Sequence, residues 1–78
     1  MTTHRYQVLV EWDASANAWV TLVPGLGFLS TYGDTREEAL EETREAIVGY
    51  LEAAAKEGLP LPDAEVEAEL VELEVATP

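Results

Sequence analysis

The sequence contains no cysteine, one histidine and one methionine among its 78 residues. Without cysteine the chain can form neither a disulfide nor a thiolate metal site, so neither can compensate for a small core. A chain of this length buries only about 60% of the surface that it exposes when unfolded. We therefore expect one small domain, residues 1–78, which gains further burial by self-association into a dimer or tetramer.

Basic residues are also scarce, because four Lys and Arg face 16 Asp and Glu, and the formal net charge is −12. Direct nucleic-acid binding needs a basic footprint, so this balance argues against it. Two interpretations of the acidic surface remain open. It can act as a coat that keeps the chain soluble, or it can complement a basic protein partner and speed their encounter.

Long apolar runs are missing as well. No run approaches the roughly 20 residues of a membrane span. The first residues, Met1 to Tyr6, contain no apolar segment of the kind found in signal peptides. We therefore expect a cytoplasmic protein that does not bind a membrane.

Alternating residues in the first third of the chain predict a β-hairpin. Residues Tyr6–Trp12 and Ala18–Val23 each alternate apolar and polar or β-branched side chains, and Asp13–Asn17 between them is rich in turn formers. Two such runs around a five-residue loop favour antiparallel pairing. Trp12 and Trp19 flank the loop and can form a cross-strand aromatic pair if the register places them opposite each other.

A third strand and a helix start follow the hairpin. Pro24–Gly27 ends the second strand because proline has no N–H to donate, and Phe28–Tyr32 then alternates again. Gly33 can supply the positive φ of a tight turn. Thr35 followed by Glu38 has capping-box spacing, in which the hydroxyl caps the helix and the carboxylate returns to the backbone N–H of the cap residue.

The helix is predicted over residues 36–57. One apolar stripe recurs at three- and four-residue spacing and comprises Leu40, Thr43, Ile47, Tyr50, Leu51 and Ala54. Gly49 is an interior weak point that can let another backbone approach closely. Gly58 is suited to the C′ position, and the prolines that follow block continuation.

The C-terminal part of the sequence is compatible with two structures. Leu59–Pro62 predicts an extended linker, and residues 65–76 then show strand alternation in two phases, which a bulge near Leu70 would reconcile. Val66, Leu70 and Leu73 equally fit helical spacing. The valines and the preceding prolines favour a strand. The predicted fold is therefore α+β, β-β-β-α-β, with one long helix packed on an antiparallel sheet.

Residues capable of catalysis are few. His4 lies near the N-terminus, where a solvated side chain is expected. Glu11, Asp13 and Asp34 lie near strand ends and could be read as a carboxylate metal site, although Asp13 also suits a turn and Asp34 a cap. No histidine near the serines can act as their base. We therefore predict no catalytic residue, no metal site and no cofactor.

Four segments in this order resemble the HicB-like antitoxin family. They are Tyr6, Val8, Val10, Glu11, Trp12 and Asp13; Trp19, Val20 and Val23 to Gly27; Gly33-Asp34-Thr35 with Glu37 to Leu40; and Ala46, Leu51, Gly58, Leu61 and Pro62. The resemblance implies a truncated ribonuclease-H-like fold without a hydrolytic site. It also implies binding and masking of a small basic toxin that cleaves mRNA. Sixteen residues follow Pro62, so we expect the family's C-terminal DNA-binding domain to be missing.

Two functional hypotheses follow. The first is an antitoxin-like interaction protein that masks a basic, HicA-like toxin, with Glu37, Glu41 and Glu45 as partner-binding residues. The alternative is a solitary oligomeric domain with a small-ligand role or the remnant of a metal-dependent nuclease, which would depend on Asp13 or Asp34. The acidic surface and the lack of catalytic groups favour the first hypothesis.

Overall fold

The computed structural model describes residues 3–60 and 67–78. The elements are β1 (Leu9–Asp13), β2 (Ala18–Val23), a short 3₁₀ helix (Pro24–Leu26), β3 (Leu29–Gly33) and α1 (Arg36–Lys56). The strands form an antiparallel sheet in the order β1-β2-β3, and α1 packs on one face of it, mainly against β3 and β2. This arrangement confirms the predicted α+β class.

The hairpin forms as predicted, and the structure supplies its register. Trp12 pairs with Trp19, and their ring centroids lie 5.7 Å apart in an edge-to-face arrangement. β1 begins at Leu9, three residues later than the expected Tyr6. The register places residues 6 and 7 opposite Gly25 and Pro24 of the 3₁₀ helix, so these two have no ladder partner, and Val8 lies opposite the last residue of β2.

Gly33 has a different role from the predicted one. Its φ is not positive, and the glycines with positive φ in the described residues are Gly27 and Gly58. Gly33 ends β3 opposite Trp19, where a Cβ atom would lie 2.5 Å from the backbone nitrogen of Ala39. Glycine is therefore required here because the first turn of α1 passes directly over the end of the strand.

The cap at the start of α1 is close to the predicted capping box. The Thr35 hydroxyl accepts a hydrogen bond from the backbone N–H of Glu38 at 3.0 Å. The Glu38 carboxylate accepts from the backbone N–H of Asp34 at 3.2 Å, one residue before the N–H that the capping-box pattern predicts. Both bonds satisfy backbone donors at the strand-to-helix junction.

The C-terminal end of α1 is a Schellman motif. Gly58 has φ +70°, its N–H donates to the Ala55 carbonyl at 3.1 Å, and the Leu59 N–H donates to the Ala54 carbonyl at 2.9 Å. The helix ends at Lys56, one residue before the prediction, because Glu57 is the cap residue. Apart from the adjacent residues and the helix's own backbone, no described atom lies within 4 Å of a Cβ built on Gly49, so none of the described segments makes the predicted close approach.

The helix is longer than the sheet that it covers. Its 21 residues span about 31 Å, whereas strands of five or six residues span about 17–20 Å. Tyr50, expected on the buried stripe, is therefore 44% exposed. The buried hydrophobic residues are Ala18, Val23, Leu26, Ala39 and Ala54, which make a small core. Within the described residues, no helix combines the length and apolarity that crossing a bilayer requires.

The predicted last strand is not present in the described part of the C-terminal region. Residues 67–78 belong to no helix or strand, and all of them are exposed. Alternation in a sequence does not supply the neighbouring strand that backbone groups need, and no strand among the described residues pairs with this segment. Leu61 and Pro62 of the predicted linker, and Glu65 and Val66 of the predicted strand, lie outside the described residues.

Candidate partner-binding surface

The three glutamates predicted to bind a partner lie on one line along the outer side of α1. Glu37, Glu41 and Glu45 follow one another at four-residue spacing, which places each about 6 Å further along the same helix face. Glu52 continues the line, and all four are exposed. We call these four residues the acidic ridge.

The acidic ridge is only weakly neutralised. Arg36 lies 3.7 Å from Glu37, and Arg44 lies 3.6 Å from Glu41. Each of these four side chains is more than half exposed, and such surface pairs contribute about 0–1 kcal/mol. Among the described residues no other ion pair reaches the ridge, so it keeps a negative potential available to a basic partner.

An apolar groove lies next to the helix. Because α1 packs mainly against β2 and β3, the segment that leads into β1 is left uncovered beside the helix. The resulting groove has a volume of about 430 Å³ and is lined by Tyr6, Val8, Leu40, Ile47 and Leu51, among others. Three of these residues were expected in the core, and the structure leaves them half-buried. We call this surface the β1 groove.

The hydroxyl of Tyr6 in the β1 groove is unusual. It is the one side-chain polar atom in the described residues that is buried without a hydrogen-bond partner. Buried polar atoms are nearly always paired, so an unpaired hydroxyl at this position would gain from a polar group brought by a bound partner. His4, expected to be solvated, is exposed and also lines the groove.

Three threonine hydroxyls between the sheet and the helix hold the ridge in its orientation. Thr21 on β2, Thr31 on β3 and Thr43 on α1 form a triangle with sides of 2.6, 2.7 and 2.8 Å. Thr43 also donates to the Ala39 carbonyl at 2.8 Å. Thr43 was expected on the buried stripe of the helix, but no inward position was predicted for Thr21 or Thr31, and the network was not predicted. The sequence feature that could have indicated the network is one threonine in each of the two strands and one in the helix.

Of the three carboxylates considered for a metal site, Glu11 and Asp34 are exposed, and Asp13 is engaged within its own turn. Asp13 accepts hydrogen bonds from the Ser15 hydroxyl at 2.7 Å and from the backbone N–H groups of Ser15 and Ala16 at 3.0 and 3.2 Å. The Ser15 hydroxyl, followed by the Ala16 N–H, lowers the pKa of Asp13 below its ordinary value of 3.8. Within residues 3–60 and 67–78 no three histidine or carboxylate side chains are grouped as metal ligands.

A second cavity, of about 590 Å³, lies where the C-terminal region meets β1. Its walls include residues 7–9, Phe28 and residues 67–70. Phe28 has φ +63° and is 65% exposed. An aromatic residue rarely adopts this left-handed conformation, and the sequence analysis did not predict it. The only feature of the local sequence that could have indicated this conformation is the preceding glycine, Gly27, whose backbone is also left-handed.

Comparison with known proteins identifies the family. Searches among curated proteins and among solved structures gave no match. A family model described as the HicB-like antitoxin of bacterial toxin–antitoxin systems matches residues 6–75, about nine-tenths of the chain. The match includes the hairpin, the strand-to-helix junction, the acidic ridge and most of the C-terminal region. The chain therefore belongs to the HicB-like antitoxin family.

Proposed function

We propose that this chain neutralises a small, basic, HicA-like toxin by covering the surface with which the toxin binds mRNA. The acidic ridge carries this proposal. A protein that binds RNA presents Lys and Arg side chains to the phosphates. A rigid line of carboxylates along a helix competes for the same cationic groups, so bound toxin would be held away from its substrate.

Charge and shape have separate roles in this proposal. The net charge of −12 attracts a basic partner over distances of about a Debye length, near 8–10 Å at physiological salt, and speeds the encounter. The β1 groove offers apolar contacts close to the ridge, since Val48 is 48% exposed and Leu40 and Ile47 are half-buried. Buried apolar contacts then slow dissociation of the complex.

The proposal gives this chain no catalytic step, no cofactor and no direct contact with nucleic acid. Asp13 is engaged by three hydrogen bonds within its own turn. Glu38, beside Asp34, is engaged in the helix cap. The chain acts by binding, and its acidic charge would repel a phosphate backbone.

We also propose that the functional unit is a dimer or tetramer. The largest fully buried side chains of the described residues are those of Val23, Thr21 and Thr43. A core without a fully buried large hydrophobic side chain gives limited stability to a single copy, and association would bury more apolar surface. Each copy added would present another acidic ridge to the toxin.

Two matched triple variants test the role of the ridge. The adjacent reading frame is first examined for a small basic product, and the affinity of this chain for that product is measured by isothermal titration calorimetry. E37Q/E41Q/E45Q removes three ridge charges, and E11Q/E42Q/E57Q removes three exposed charges elsewhere. We expect the ridge variant to bind about 10–100-fold more weakly and the control to stay within about threefold of the wild type.

Equal losses in the two variants would show that only the overall charge matters, and would contradict the assignment of the ridge. Absence of binding by the wild-type chain would remove the proposal altogether.

A further inference from the structure

We propose that the C-terminal segment of one copy, residues 67–76, adds as a strand to the free edge of β1 in a second copy, and that the exchange is reciprocal. The product is a homodimer with two-fold symmetry. The inference rests on the self-association proposed above and gives it a structural basis, but it needs neither a toxin nor the acidic ridge, so its failure would leave toxin masking untouched.

The segment presents apolar side chains that nothing in its own chain covers. Leu70 is 86% exposed, Val71 59%, Leu73 79% and Val75 77%. From Val71 to Val75 apolar residues alternate with glutamates, which is the pattern of a strand with one buried face. Contiguous exposed apolar surface of this kind marks an interaction site.

β1 offers an edge that fits this segment. It pairs with β2 on one side, and no other described strand lies along its second edge. An unpaired edge has a row of free N–H and C=O groups and is a template for an added strand. β1 has five residues, Leu9–Asp13, as many as the alternating part of the segment.

The segment begins beside β1 of its own chain and then extends away from the folded part of that chain. Residues 67–70 share a cavity of about 590 Å³ with residues 7–9, where the chain enters β1. The chain has a radius of gyration of 15.1 Å, compared with about 11–12 Å for a compact chain of 78 residues, and its longest extent is 53 Å. The start of the segment is therefore positioned beside the sheet, while its apolar residues extend into solvent where a second copy can bind them.

Phe28 marks the same cavity as a binding surface. Its side chain is 65% exposed although its backbone is held at φ +63°. Left-handed backbone is unfavourable for a residue with a Cβ, and such strain is concentrated at functional positions. An exposed aromatic ring in this conformation is suited to anchor the incoming segment.

A second copy fits this surface better than a basic partner does. The groups to be covered are leucines and valines, and the adjacent β1 groove supplies apolar residues such as Tyr6, Val8 and Ile47. In a two-fold pair each copy contributes one C-terminal segment and one β1 edge. The apolar side chains of both segments are then covered, and the backbone groups of both edges are paired. Because both copies are acidic, the dimer should become tighter as salt rises.

Isotope mixing distinguishes exchange between chains from pairing within one chain. The natural sequence has no cysteine, so E11C/E72C places the only thiols on the edge of β1 and on the segment, at exposed positions. Equal amounts of ¹⁴N- and ¹⁵N-labelled protein are unfolded together, refolded and treated with a short bismaleimide. Mass spectrometry of the peptides joined through residues 11 and 72 then identifies the chains of origin.

We expect about half of these joined peptides to contain one light and one heavy partner, as random exchange in a two-fold dimer requires. Joined peptides of a single isotope only would show pairing within one chain and would overturn the proposal. A parallel variant, S30C/E72C, tests the other edge of the sheet. Cross-links in it at the level expected for E11C/E72C would overturn the assignment to β1.

Oligomeric state supplies an independent readout. Light scattering should give twice the chain mass of 8.5 kDa for the wild type and for E74Q, and the mass of a monomer for L73E. Unchanged helical circular dichroism in L73E shows that the domain is still folded. A folded L73E variant that remains a dimer would contradict the role of the segment, as would a monomeric wild type.

Discussion

The hydroxyl oxygens of Thr21 on β2 and Thr43 on α1 lie 2.6 Å apart, and Thr31 on β3 completes the triangle. Thr21 is fully buried and Thr43 is 2% exposed. The helix is therefore fixed on the sheet by directional hydrogen bonds as well as by small apolar side chains. This geometry turns the acidic ridge toward solvent and leaves the β1 groove open beside it.

Replacing Thr43 with valine should lower the free energy of unfolding by about 1–3 kcal/mol, because the hydroxyls of Thr21 and Thr31 lose a shared partner in a buried site. Urea unfolding followed by circular dichroism measures the change. Thr43→Ser keeps the hydroxyl and should be less destabilising. A valine variant as stable as the wild type would show that the network contributes nothing.

Two glycine-to-alanine substitutions should have opposite effects. Gly33→Ala should destabilise by about 2 kcal/mol or more, because its Cβ would lie 2.5 Å from the Ala39 backbone nitrogen. Gly49→Ala should stabilise by up to about 1 kcal/mol, because it lies within α1 with open space around it. Thermal unfolding of both variants checks the pair. A tolerated Gly33→Ala would contradict the close approach of α1 to β3.

Replacing Phe28 with asparagine should separate backbone strain from binding. Asparagine accepts left-handed backbone more readily, so the folded monomer should become more stable by about 1 kcal/mol at low protein concentration. The dimer should dissociate more readily because the aromatic anchor is lost. Sedimentation equilibrium measures the dimer, and Phe28→Tyr, which keeps the ring, serves as the control. An unchanged dimer in Phe28→Asn would remove the anchor role.

The turn at Asp13 predicts a pH dependence of stability. Its pKa is lowered below 3.8, mainly by the Ser15 hydroxyl, so the folded state binds this proton less readily than the unfolded state. The stabilisation is fully present above the ordinary pKa and disappears as the pH falls through the lowered value. The wild type should therefore be more stable than Asp13→Asn near neutral pH, and the difference should shrink below about pH 4. A difference independent of pH would exclude the ionised carboxylate as its cause.

Local chemistry made the first three strands and the helix predictable from the sequence. Turn formers at Asp13–Asn17, the cap at Thr35 and the C′ residue Gly58 each act within a few residues, so their structural effects can be recognised without knowing the fold. The reason for Gly33 could not be predicted, because it depends on a helix turn that passes over the strand end.

Features of the site that depend on contacts between distant parts of the chain could not be predicted from the sequence pattern. Glu37, Glu41 and Glu45 were named as partner-binding residues without a shared face, and the structure places them on one line of α1. The β1 groove could not be foreseen, because it results from the lateral position of α1 over β2 and β3. For the same reason the alternation in residues 71–75 indicated a strand but could not identify the neighbour with which it would pair.

Inhibition of RNA cleavage tests the central claim most directly. A small basic ribonuclease of the HicA-like class is incubated with RNA while this chain is titrated into the reaction. Masking predicts that cleavage stops near an equimolar ratio, and that E37Q/E41Q/E45Q requires about 10–100-fold more protein than E11Q/E42Q/E57Q for the same inhibition. Cleavage that continues unchanged at a large excess of the wild-type chain would contradict the antitoxin mechanism.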